Sequence, residues 1–99
     1  MGNPHIQAAL ALLDPADRPQ VEHIRLTTRE QELNGCYLPH SGAILINRVG
    51  DSYLRATRGD VRRLAATLAH EQCHALHGRS EQRARAATAR VMTALGLKE

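Results

Sequence analysis

The sequence predicts an α+β domain in which a small, twisted, mostly antiparallel sheet packs on helices. Three observations predict it. Apolar residues recur at helical spacing in three separate stretches, within residues 4–13, 60–77 and 80–95. Between the first two stretches lie short runs rich in β-branched residues, at 21–28 and 43–46. Two apolar runs are divided by Pro39-His40-Ser41-Gly42, a cluster of turn formers.

The first helix is announced by Asn3-Pro4, a capping side chain followed by proline at the first helical position. Ile6, Ala9, Leu10 and Leu13 follow at helical spacing, and Asp14-Pro15 closes the stretch. His5 beside the cap reads as a surface histidine. Residues 16–20 make a turn with a second proline, and 21–28 read as a strand. The polar segment 28–35 is a loop or a single helical turn. Cys36-Tyr37-Leu38 and Ala43-Ile44-Leu45-Ile46 then form a hairpin, with His40 solvated at its tip. Residues 47–57 connect onward, with at most a helical turn around Tyr53-Leu54.

Asp60 is a natural N-cap for a long helix that Gly78 ends. On it Val61, Leu64, Leu68 and Ala75 share one side, while His70, His74 and His77 share the other. A last helix starts from Ser80, carries Glu81, Ala84, Thr88, Val91 and Leu95 as an inward stripe, and stops at Gly96. No linker, internal repeat or low-complexity tract divides residues 1–99, so the chain reads as one domain.

Composition narrows the partners. The chain has 99 residues and no Trp or Phe, so its core rests on aliphatic side chains and is thin. A bound metal would add stability by favouring the folded state. The net charge of +3 comes from Arg and Lys spread along the sequence. No aromatic-and-basic platform accompanies them, which disfavours nucleic acid and leaves a solvated surface with weak attraction for acidic partners. Cys36 and Cys73 are too few for a disulfide framework, although one bridge between them stays open. The first apolar run is too short to span a membrane. With no signal peptide read in the sequence, a reduced, cytoplasmic setting is expected.

The chemistry lies in Leu68-Ala69-His70-Glu71-Gln72-Cys73-His74. On a helix His70 and His74, four apart, stand one above the other and can offer two imidazoles to one ion. Glu71 is turned about 100° from His70, beside that ion, where a general base for a bound water belongs. Glu81, after the Gly78 turn, is the candidate third ligand, because its helix can approach from another side. His77 is its rival, displaced a further turn along the same helix. Tyr53, His77 and Arg85 are candidates for stabilising an oxyanion. Cys73 reads as a small packed side chain.

Three stretches together carry a resemblance: residues 35–47, the His-Glu-x-x-His helix, and Glu81-Gln82-Arg83-Ala84. They resemble the small gluzincin metallopeptidases, including the minigluzincins and the peptidase domain of the ImmA/IrrE-like group, over roughly residues 35–92. The resemblance implies a minimal zincin-like fold, a zinc ion on His70, His74 and Glu81, and a hairpin strand at the upper rim of the cleft. That strand, Ala43, Ile44, Leu45 and Ile46 here, would pair with an extended peptide. The six residues between His74 and Glu81 are fewer than gluzincins usually have. The helix wording also resembles SprT-type proteases, whose later Gly-His ligand has no counterpart here. A metzincin arrangement is excluded by His77 and Ser80, which stand where its glycine and third ligand belong.

The expectation is therefore a zinc-dependent metalloendopeptidase acting on peptide or protein substrates, with no membrane partner and an oligomer left open. Two other readings compete: a regulatory protease specific for one partner protein, and a non-catalytic metal-binding module.

Overall fold

The computed structural model describes residues 3–28 and 33–97. Helix α1, Pro4–Ala11, begins where the Asn3 side chain accepts from the His5 and Ile6 N–H groups at 2.9 and 3.2 Å. These are donors that a helix start leaves without intrahelical partners. Its far end is closed by a group the sequence did not suggest. Arg18 folds back and donates to the Leu10 and Leu13 carbonyls at 3.1 and 2.5 Å. The chain then passes through two short 3-10 turns, Pro15–Asp17 and Val21–His23.

Strand β1 is Ile24–Thr27, shorter than the expected 21–28. The reason lies in its partner. β3, Ala43–Asn47, offers β1 four rungs, from Ile24 against Ile44 to Thr27 against Asn47. Residues 21–23 lie outside these rungs and close a local turn instead, with the His23 N–H on the Gln20 carbonyl. β2, Gly35–Leu38, and β3 form the expected hairpin around Pro39 to Gly42. Gly42 takes φ 73°, a left-handed value that favours glycine, and donates to the Leu38 carbonyl. Residues 29–32 of the polar segment lie outside the described residues.

The three strands run in the order β1-β3-β2, with β1 parallel and β2 antiparallel to β3. The sheet is thus mixed rather than mostly antiparallel. Adjacent runs in a sequence pair antiparallel by default, but here β2 passes to the far side of β3 and leaves β1 to pair in parallel. β3 is central, with both edges bonded, and Ile44 and Ile46 on one face are fully buried.

The 47–57 connection holds more structure than expected: a helix α2, Asp51–Thr57, that buries Ser52, Tyr53 and Ala56. Helix α3, Arg62–His77, is the hub and touches α1, α2, β2, β3 and α4, Glu81–Ala94. Its N-terminus falls one residue beyond the expected position, and Asp60 still accepts from the Arg62 N–H at 3.2 Å. Leu64, Ala65, Leu68 and Ala69 pack inward. Ala75, expected on that packed side, is exposed with Leu76 and His77, because the last turn of α3 runs past the elements that cover the rest.

Helix α4 starts on Ser80, whose Oγ accepts from the Arg83 N–H at 3.3 Å. It ends at Gly96, where the Gly96 N–H bonds Thr93 O and the Leu97 N–H bonds Met92 O. That pair of bonds is a Schellman cap. Together these elements make an α+β domain with a three-stranded mixed sheet against helices. No helix among the described residues is long and apolar enough to cross a membrane.

Candidate metal centre

Two elements meet to form the site, and the three-residue turn between them decides its geometry. α3 presents His70 and His74 from successive turns, with ring centroids 5.0 Å apart. Gly78, at φ 78°, reverses the chain so that Glu81 opens α4 against the same two rings. Glu81 Oε1 stands 2.7 Å from His74 Nε2 and 3.6 Å from His70 Nε2, and the three ligand atoms lie within 4.8 Å of one another. Donors around one tetrahedral zinc with bonds of about 2.0–2.1 Å stand about 3.3 Å apart. The observed separations bracket that value. Two imidazole nitrogens and a carboxylate also form a donor set that zinc accepts.

The orientation of His74 is fixed from behind. Its Nδ1 lies 2.8 Å from the Gly78 carbonyl, which can only accept, so the ring donates from Nδ1 and turns Nε2 toward Glu81. His70 Nδ1 lies 2.9 Å from the Thr88 hydroxyl.

Burial and the neighbouring charges and hydrogen bonds together set the charge in the site. Glu71 is 6 % exposed, and burial pushes its carboxyl up to about 7; Glu81 adds to the shift while His74 opposes it. Burial lowers the His70 pKa, against the attraction of Glu81. Burial also opposes charge on His74, but the Gly78 carbonyl and the Glu81 carboxylate outweigh it and raise that pKa. For Glu81 desolvation is the largest single influence and acts upward, but the hydrogen bonds and charges of the two imidazoles together overcome it and lower its pKa.

The cleft in front has a volume of about 570 Å3. One wall is Leu33, Gly35, Cys36, Tyr37 and Pro39; the other is His70, Glu71, His74, Gly78, Arg79 and Glu81. Gly35 lets β2 come this close, since a Cβ there would meet Leu45 O at 2.9 Å and Thr67 Cγ2 at 3.2 Å.

The other sequence candidates divide. His77 lies outside the ligand group, exposed, and its Nδ1 accepts from Arg83 at 3.1 Å. Arg85 stands one turn beyond Glu81, with Nε 3.8 Å from Oε2. Tyr53 is not in the cleft. α2 is a full helix whose buried face turns Tyr53 toward α1, where its hydroxyl accepts from Asn3 at 2.8 Å and its ring meets His5 edge-on. Ala43, Ile44, Leu45 and Ile46 do not form a rim either, because β3 is the middle strand; β2 borders the cleft. Glu81 is 57 % exposed rather than packed inward, so proximity to the imidazoles, not burial, is what singles it out. Cys36 and Cys73 are free thiols.

Sequence reasoning missed Thr88 and the Gly78 carbonyl. Thr88 is seven residues from Glu81, two turns along one face, and that spacing was available as a signal. The carbonyl had no sequence signal at all. No family of known proteins, no characterised protein and no solved structure matches this chain.

Proposed function

We propose that this chain is a small zinc-dependent metalloendopeptidase of gluzincin type. The observation that carries the reading is the convergence of His70, His74 and Glu81 beside a buried Glu71, in a cleft bordered by a strand. Zinc on those three side chains supplies Lewis acidity toward a carbonyl and lowers the pKa of a bound water.

The protein's own groups do the rest. Glu71 accepts the proton of the attacking water and returns it to the leaving amine, a task suited to a carboxyl whose pKa lies near neutrality. The Gly78 carbonyl holds the His74 ring so that Nε2 faces Glu81, where it would be free to hold the metal. β2 has β3 on one edge only, and among the described residues no strand occupies the other. An extended peptide adds to that open edge by main-chain hydrogen bonds, which brings a scissile carbonyl over the site. The pairing strand is thus Gly35–Leu38 in place of the strand the family resemblance implies.

The test combines metal content with cleavage of casein-type substrates. Wild-type protein should hold about one zinc per chain, the stoichiometry of a single three-ligand site. His70→Ala, His74→Ala and Glu81→Ala should each lose metal, while His77→Ala should keep it. Glu71→Gln should keep zinc and lose activity by roughly 100-fold or more. Zinc retained in both histidine variants would remove the site from this cleft. Tight zinc with no cleavage of any substrate would make the chain a binding module.

A further inference from the structure

A histidine ligand that binds through Nε2 must carry its proton on Nδ1. For His74 the Gly78 carbonyl enforces this, since it has no hydrogen to give. His70 faces a hydroxyl, which can either donate or accept, so the contact alone leaves the tautomer open. The surroundings of Thr88 close that choice. Its Oγ1 donates to the Ala84 carbonyl, one turn back on α4, at 2.9 Å. With its hydrogen committed there, Oγ1 can only accept from His70. His70 therefore donates from Nδ1 and presents a bare Nε2 toward Glu81.

Among the described residues, Thr88 Oγ1 is the group that hydrogen-bonds His70 Nδ1. A cavity of about 240 Å3 lies beside His70, lined by Asn34, Gly35, Thr67, His70, Glu71 and Thr88. Thr67 Oγ1 is engaged with Ser52 Oγ at 2.8 Å, and Asn34 Oδ1 accepts from the Ser52 N–H at 3.0 Å. Helix α4 thus places two groups on the α3 histidines from one face: the Glu81 carboxylate at the metal side, and the Thr88 hydroxyl two turns on, behind His70.

We infer that Thr88 is a positioning residue that sets the tautomer and ring angle of His70, and through them the affinity of the site for zinc. The affinity half of this inference rests on the reading of the triad as a metal centre; the tautomer half does not.

The experiment pairs Thr88→Val, which keeps the shape and removes the hydroxyl, with Thr88→Ser, which keeps the hydroxyl and removes the methyl. In chelator-treated protein at pH 8, long-range 15N–1H correlation of the His70 ring should report the Nδ1–H form in wild type and in the serine variant. The valine variant should shift toward Nε2–H. Zinc affinity by chelator competition should fall roughly 10- to 100-fold with valine, the usual cost of losing an orienting partner, and recover with serine. A melting temperature of the chelator-treated valine variant near wild type shows that the fold is intact. Should valine not fold, Thr88→Ala is read in the same two assays.

Unchanged tautomer and affinity in the valine or alanine variant overturn the inference. A serine variant as weak as valine also overturns it, by assigning the effect to packing of the methyl. If wild-type protein takes no zinc, the proposed function and the affinity half fall together, and the ring spectra still decide whether Thr88 sets His70.

Discussion

Glu71 is a carboxyl in a place that suits its neutral form. Burial lifts its pKa from the ordinary 4.5 to about 7, so between those values the folded chain holds a proton that the unfolded chain has released. Stability then falls as pH rises across that window, because the native state binds more protons than the unfolded one. The full penalty above neutrality is on the order of 3 kcal/mol, at about 1.36 kcal/mol per pKa unit. Glu71→Gln should remove it. In chelator-treated protein at pH 8 the glutamine variant should unfold at higher denaturant than wild type, and the two should converge below pH 4.5. Equal stability at both pH values would show that Glu71 is hydrated rather than buried. The position of Glu71 was legible in the sequence, since its offset from His70 is helix geometry. Its protonation was not, because that depends on which side chains cover it.

At the scale of elements, the long contact between α3 and α4 is steadied by a clamp from outside the pair. Asp17, in the 3-10 turn after α1, takes both terminal nitrogens of Arg90 on α4, at 2.9 and 2.7 Å. The Asp17 side chain is only 12 % exposed, and the hydrogen bonds from Arg90 lower its pKa. That stabilisation is complete above the pKa of an unfolded aspartate and is lost as pH falls through the lower folded value. Arg90 is largely in water, so a double-mutant cycle of Asp17→Asn with Arg90→Gln should give a coupling of about 1 kcal/mol. The coupling should shrink as pH drops toward 3, and a value near zero at neutral pH would leave the clamp without energetic weight. Nothing in the sequence pairs residues 73 positions apart. Caps and turns were legible for the opposite reason. Asn3, Ser80, Gly42 and Gly78 act on backbone within a few residues, whereas the length and direction of β1 are set by β3.

For the molecule as a whole, the core is built from small side chains. Ala9, Ala65, Ala66, Ala69 and Ala84 are buried, and the largest fully buried residues are Ile44, Ile46, Leu64 and Leu68. Such a core contributes little per residue, since hydrophobic stabilisation scales with apolar area removed from water. A ligand bound only by the native state then matters greatly. Zinc at a hundred times its Kd should add about 2.7 kcal/mol, a rise of roughly 10 °C or more in Tm for a domain of this size. Chelator should remove that rise from wild type, and His70→Ala protein should show no difference with or without zinc. An equal response in both proteins would place the stabilising ion elsewhere. The α+β class and the hairpin were legible from periodicity and turn residues. The mixed sheet was not, because strand order is a property of the assembled layers.

The turn at Gly78 has a further consequence, for the order of folding. His70, His74 and Glu81 fall within one helical hairpin, so little chain entropy is lost in bringing them together. The cleft also needs β2, which reaches α3 across a long stretch of sequence, and such distant contacts form late. On the proposed function, the hairpin would hold its ion before any surface exists to receive a peptide. During refolding with cobalt, absorbance from the bound ion should rise before the β3 amides gain exchange protection. The protein would thus be metal-loaded while its substrate groove is still unmade.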